Sequence, residues 1–200
     1  MTQGIPRRNV LLGAAATPFQ QPKTKVQLNT PFGIIVLQLH TDRAPLSTTD
    51  FLKYVDARAY DGGRFFRVVR QDNDRGHPRI DVVQGGTRPN AHQGPPIKHE
   101  CTALTGLRHL DGTVSLTRDA PGTGSGAEFF ICVGPQPSLD ADPRASGDNQ
   151  GFAAFGHVVA GMDVVRAILA SPVSATAGEG SMKGQMLDPT IPIISARRAA

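Results

Sequence analysis

The residues that most often carry chemistry are sparse in this sequence, and their spacing removes several reactions at once. Ser125 lies in Gly122-Thr123-Gly124-Ser125-Gly126, which is not the G-x-S-x-G elbow that exposes a hydrolase serine. The same stretch lacks the last glycine of a dinucleotide fingerprint and the lysine of a P-loop, so it reads as a glycine-rich surface loop. The six histidines (His40, His77, His92, His99, His109 and His157) contain no H-x-x-x-H pair and are expected in loops or on the surface. Asp61, Asp72 and Asp74 lack the spacing of an EF-hand loop. Cys101 and Cys132 form no C-x-x-C pair; they permit one disulfide, but both sit in stretches read as strands, where a buried free thiol is the plainer expectation. No nucleophile–base pair, metal site or cofactor site emerges.

The elements that must position any active group are short. Gly and Pro supply 38 of the 200 residues, about 19% against a usual share of about 12%. That composition excludes a helical bundle or coiled coil, whose long elements reject both residues. Val26 and Leu28 alternate before a turn at Asn29-Thr30-Pro31. Gly33 to Leu39 then carries Ile34, Ile35, Val36, Leu37 and Leu39, giving a hairpin whose second strand is apolar enough to be buried on both faces. Pro45 to Val55 reads as a helix, with Ser47 and Asp50 spaced as a capping box and Phe51, Leu52, Tyr54 and Val55 on one face. Further strands are expected at residues 64–70, 80–84, 112–117, 128–133, 153–159 and 191–197. A second short helix is expected at 161–169, and loops at 85–96, 121–127 and 171–186. Many strands with only two helices mean a sandwich or a barrel, and periodicity does not choose between them.

The formal charge of +4 has a local origin. Arg7, Arg8, Lys23 and Lys25 precede the first acid, Asp42, and residues 26–200 are neutral. There is no run of five basic residues, so nucleic acid is not an expected partner. Arg7-Arg8, the apolar Val10-Leu11-Leu12 and the small Gly13-Ala14-Ala15-Ala16 resemble a twin-arginine export signal. Residues 1–22 are therefore read as signal-like and 23–200 as one domain, placed in the periplasm or secreted, with the cytoplasm as the alternative. The longest apolar run, Val10 to Ala16, is far short of the ~20 residues that cross a bilayer.

Five motifs remain: Tyr60-Asp61-Gly62-Gly63-x-Phe65-Phe66-Arg67-Val68-Val69, Val83-Gln84-Gly85-Gly86, Gly112-Thr113-Val114-Ser115-Leu116, Glu128-Phe129-Phe130-Ile131 and Phe155-Gly156-His157-Val158-Val159-x-Gly161-Met162. In this order they resemble the cyclophilin family of peptidyl-prolyl cis-trans isomerases, over roughly residues 24–200. The resemblance implies a mainly β fold: a closed eight-stranded antiparallel barrel capped by two short helices, with a substrate groove on its outside. It implies a cofactor-independent isomerase acting as a monomer on proline-containing polypeptides. By matched position, Arg67 is the catalytic residue. Phe130, Leu139 and Val82 form the proline pocket, Gln84 contacts substrate backbone, and Thr117, Arg118, Glu128 and Phe152 line the groove. On a strand Phe129 must face away from Phe130.

The reaction suits such a set. Rotation about a peptide C–N bond meets a barrier of ~18–20 kcal/mol because of resonance, and X-Pro exchange takes tens to hundreds of seconds. A donor facing the prolyl nitrogen stabilises the lone pair that appears as the amide twists, and an always-charged guanidinium supplies one. Two departures from the family pattern bear on this. Asp81 stands where an aromatic pocket wall is usual, unless Ile80 or the 71–80 insert fills the space. Glu128 replaces a glutamine and adds a negative charge near Arg67, where a Glu–Arg pair could hold the guanidinium or compete with substrate for it. Both raise the alternative of a catalytically weak proline-peptide binding module or chaperone with the same fold.

Overall fold

A computed structural model describes Met1, residues 24–145 and residues 147–199. The signal-like reading of 1–22 lies, Met1 apart, outside the described residues. Ten strands and three α-helices follow in the order β1 (Lys25–Thr30), β2 (Gly33–Leu39), α1 (Pro45–Asp56), β3 (Gly63–Val69), β4 (Val82–Gly86), β5 (Ile97–Lys98), α2 (Thr102–Thr105), β6 (Thr113–Thr117), β7 (Thr123–Cys132), β8 (Ala153–Ala160), α3 (Met162–Leu169), β9 (Met186–Ile193) and β10 (Ser195–Ala199). Every pairing is antiparallel, in the order β10-β1-β2-β8-β6-β7-β4-β3-β9, with the two-residue β5 added to β7. The end strands β9 and β10 are one stretch of chain interrupted at Ile194, whose N–H donates to Asn29. The ladder thus comes round on itself with eight staves, the β9–β10 stretch counting once. The helix count differs from expectation: α2 is a single extra turn that ends at the left-handed Gly106.

Alternation decides what faces inward. Phe51, Tyr60, Phe65, Phe129 and Phe155 are fully buried and share the interior. Phe129 meets Phe51, Tyr60 and Phe65 edge-on at 5.7–5.9 Å, a favoured aromatic geometry. Phe130 points the other way, into a separate apolar cluster with Val69, Val82, Cys132 and Leu139. β2 follows the same rule rather than the expected double burial. Ile35, Leu37 and Leu39 enter the core while Ile34 is exposed, because the outer face of this stave is not covered along its length.

Two local expectations give way to tertiary contacts. Ser47 and Asp50 do not form a capping box. The helix begins at Pro45, a favoured first position, and its free N–H groups at Leu46 and Ser47 donate to the Glu100 carboxylate at 3.1 and 2.7 Å, as does the Ser47 hydroxyl at 2.7 Å. A carboxylate from a distant loop does the work of an N-cap. Asp50 instead accepts the Gly126 N–H at 2.8 Å. Residues 123–127 of the glycine-rich stretch are accordingly no surface loop but the first half of β7, pressed against α1. A Cβ on Gly126 would lie 2.5 Å from the Phe51 nitrogen, so only glycine allows this approach. Cys132 and Cys101 are free thiols. Burial pushes the Cys132 pKa up, and Cys101 caps α2 rather than lying in a strand.

Candidate active site

The outward faces of β3, β4 and β7 meet the turn at Pro137–Leu139 and form an open groove of about 570 Å³. Arg67, Gln84, Val82, Phe130, Leu139, Thr117, Arg118, Glu128 and Phe152 all line it. Strict alternation would have put Arg67 on the same side as Phe65, inside the barrel. The pairing of β3 with both of its neighbours shifts register between Phe65 and Arg67. This bulge at Phe66 reverses the parity: Phe65 and Val68 remain in the core while Arg67 turns outward. Re-aiming one side chain beside a site is a recurrent use of bulges.

The pocket floor is Phe130, with Phe152 edge-on at 5.3 Å and 89°. The Arg118 guanidinium sits 5.3 Å over the Phe152 ring and pairs through both terminal nitrogens with Asp148. Val82 and Leu139 complete the apolar cluster, with Ile80 packed beside them. The expected carboxylate wall does not form. Asp81 is absent from the lining and accepts from Gln71 Nε2 at 3.1 Å. Ile80 supplies the wall instead, its N–H held by Asp74 Oδ2 at 2.8 Å, and Met182 and Met186 extend the apolar surface.

Arg67 is clamped without an acid. Its Nε and Nη2 donate to Gln185 Oε1 at 3.0 and 2.6 Å, and its Nη1 donates to Gln84 Oε1 at 3.0 Å. A guanidinium has five N–H donors; these bonds use three and leave one on each terminal nitrogen. Burial lowers the Arg67 pKa and nearby Asp74 opposes that, but a guanidinium stays charged in proteins. Glu128 makes no pair with Arg67. Glu128 accepts from Gln84 Nε2 at 3.1 Å, which aims the Gln84 oxygen at Arg67. The carboxylate acts one side chain removed, because Gln84 occupies the space between.

Burial raises the Glu128 pKa; the Gln84 bond pulls the other way and Asp119 adds to the rise. The folded state then holds this proton at pH values where the unfolded state has released it. Stability therefore falls as pH rises through the ordinary carboxylate range, and the full penalty stands above the raised pKa. Glu128→Gln keeps an acceptor for Gln84 and removes the buried charge. The variant should melt higher than wild type at neutral pH, with the gap closing towards ~pH 4; scanning calorimetry at the two pH values reads this.

Gln185, Met182 and Met186 were not anticipated, for they lie in the stretch expected to be a loop. Gln185 is 1% exposed. Its Nε2 donates to the Asn73 carbonyl at 3.2 Å, which turns its oxygen to Arg67. Asn73 in turn is tied to Val68 and Gly184, so the 71–80 insert braces the site. No spacing rule links residues 118 positions apart. Gln185→Leu fills the volume but frees the guanidinium to wander. We expect the Arg67 guanidinium NMR signals to show faster rotation about the Nε–Cζ bond than in wild type, with the fold intact by circular dichroism.

His99 and His109 lie in loops, as expected of the histidines, but both are buried, and the part-buried His157 lies within β8 instead. Burial lowers the pKa values of His99 and His109. Among the described residues, no three potential ligands from His, Cys, Asp and Glu converge on a metal position, and no helix is long and apolar enough to cross a membrane.

The profile of the family described as "Cyclophilin type peptidyl-prolyl cis-trans isomerase/CLD" matches residues 25–197. Peptidyl-prolyl cis-trans isomerase A of Dickeya dadantii is 37% identical over 144 residues, covering 70% of this chain and 68% of that protein. A peptidyl-prolyl cis-trans isomerase of Acinetobacter baylyi is 32% identical over 168 residues, covering 82% of each. A crystal structure of a cyclophilin type isomerase from Cryptosporidium parvum superposes with a TM-score of 0.67 at 16% identity, over 89% of this chain and 98% of that one.

Proposed function

This chain belongs to the cyclophilin-type peptidyl-prolyl cis-trans isomerase family, and from that premise we propose how it performs the family's reaction. The proline ring of an X-Pro substrate packs on Phe130, between Val82, Leu139 and Phe152, while the amide lies against Arg67. As the C–N bond twists, the prolyl nitrogen loses conjugation and gains a lone pair. One of the two remaining Arg67 N–H groups donates to it. The planar ground states offer no such lone pair, so the bond favours the twisted state, and only a differential interaction accelerates the step. Gln84 and Gln185 hold the guanidinium, so it needs no reorganisation when that charge shifts. Gln84 keeps contact with substrate backbone, while Thr117, Arg118 and Glu128 border the neighbouring stretch of peptide.

The observation that carries this reading is a guanidinium held from two sides with two donors still open, at the rim of an apolar pocket. Against the weak-module alternative, Asp81 lies outside the groove lining and accepts from Gln71, and Glu128 bonds Gln84 rather than Arg67. A protease-coupled assay on a short X-Pro peptide tests the reading. Acceleration over the ~10–100 s uncatalysed exchange is expected, and none would return the binding module. A monomer is the state proposed, and light scattering checks this. The Arg7-Arg8 segment supports export, and an intact Met1 on protein from a cytosolic extract would remove that assignment.

A further inference from the structure

Behind the groove lies a buried polar arrangement that the reaction, as described above, does not use. His109 is 1% exposed and stacks behind Phe130, the two rings 16° from parallel with centroids 5.9 Å apart. Its Nδ1 lies 2.8 Å from Asp140 Oδ1, and its own backbone N–H donates to the same oxygen at 3.0 Å. A carboxylate only accepts, so Nδ1 carries the proton. Nε2 is then the acceptor for the Ser115 hydroxyl at 3.1 Å. The His109 carbonyl accepts the Gln136 N–H at 2.7 Å.

The connections run to both sides of the proline pocket. Ser115 pairs in register with Phe130 across the β6–β7 ladder. Asp140 follows Leu139, and Gln136 precedes the turn that presents Leu139. One imidazole therefore touches the floor and ties down the wall. The Ser–His–Asp order looks like a hydrolytic relay, but Ser115 is completely buried. No ester or amide can reach it, and the arrangement has to serve structure or geometry.

We propose that His109 is a positioning residue for the isomerase reaction, fixing Phe130 and Leu139 so that the proline ring stays still while its amide rotates. This rests on the reading of the groove given above. The ring must be gripped in the twisted state as well as in the planar ones. A floor that yields lets the ring follow the rotation, and the substrate slips past the Arg67 donors. The loss should therefore fall on kcat more than on KM.

Two substitutions separate this from mere stability. His109→Phe keeps the stack on Phe130 and loses the bonds to Asp140 and Ser115. His109→Asn keeps a donor for Asp140 and loses the stack. We expect His109→Asn to lose roughly ten- to hundredfold in kcat, with KM within a few-fold of wild type and the fold retained. His109→Phe should keep more of kcat despite a lower melting temperature, since it still backs the floor. Aromatic NMR supplies a readout without activity: the Phe130 ring should flip faster in His109→Asn than in wild type. Unchanged kcat together with unchanged ring flipping in a folded His109→Asn protein would overturn the proposal. A wild type without any acceleration would instead fail the functional reading, and the ring-flip comparison would still decide the positioning one.

Discussion

Arg67→Ala should lower kcat/KM about 10²–10³-fold, the usual cost of removing one preorganised donor from a developing charge. The site offers no substitute. Gln84 and Gln185 present their oxygens to position 67, and acceptors facing the prolyl nitrogen would oppose the new lone pair. Arg67→Lys keeps the charge but not the planar fork. One ammonium cannot satisfy both glutamines and also donate to substrate along fixed directions, so a large part of the loss should persist. Arg67→Ala should also melt somewhat lower, because the buried Gln185 oxygen loses both of its donors and an unsatisfied buried acceptor costs about 1–3 kcal/mol; the activity loss is read at a temperature where both proteins are folded. A protease-coupled assay under conditions that keep the peptide below KM reads the ratio directly.

Phe130→Ala is the second large effect, and its signature differs. The variant loses the aromatic floor of the groove, on which the proline ring is proposed to rest. Burial of a side chain of that size contributes about 1.5–3 kcal/mol, so kcat/KM should fall roughly ten- to hundredfold, through a fall in kcat together with a rise in KM. It also opens space against His109 and Phe152, and a large-to-small change at a buried aromatic costs up to ~3–5 kcal/mol of stability. Phe129→Ala is the control. Its ring belongs to the barrel interior, so it should cost as much stability while leaving the groove lining in place. Denaturant titration and peptide kinetics on both variants separate the two faces of one strand.

The contrast between Phe129 and Phe130 was legible in the sequence because a strand's two-residue period is a local property. So were the hairpin of β1 and β2 and the amphipathic α1 and α3. Nine of the groove residues were legible through motif resemblance, not through local physics, and Arg67 shows why. Read by alternation alone it points into the core; the bulge that turns it outward is a register shift against β4 and β9, which no short window contains. Glu100 capping α1, Asn73 turning Gln185, and His109 behind Phe130 are equally contacts between distant segments. Their partners are 31 to 112 residues away in the cases of Asp140 and Asn73. The glycines of β7 misled for a related reason. They read as a flexible loop, but at Gly126 the missing Cβ is what lets α1 pack against the strand.

The claim that matters most is that Arg67 acts on the twisted amide and not on binding. NMR exchange spectroscopy of a short X-Pro peptide, titrated with wild type and with Arg67→Ala, measures affinity and on-enzyme cis-trans exchange in one experiment. We predict that Arg67→Ala binds the peptide within a few-fold of wild type and that bound exchange slows by about 10²-fold or more. Weakened binding with bound exchange as fast as wild type would contradict the account, because Arg67 would then be a ground-state contact only.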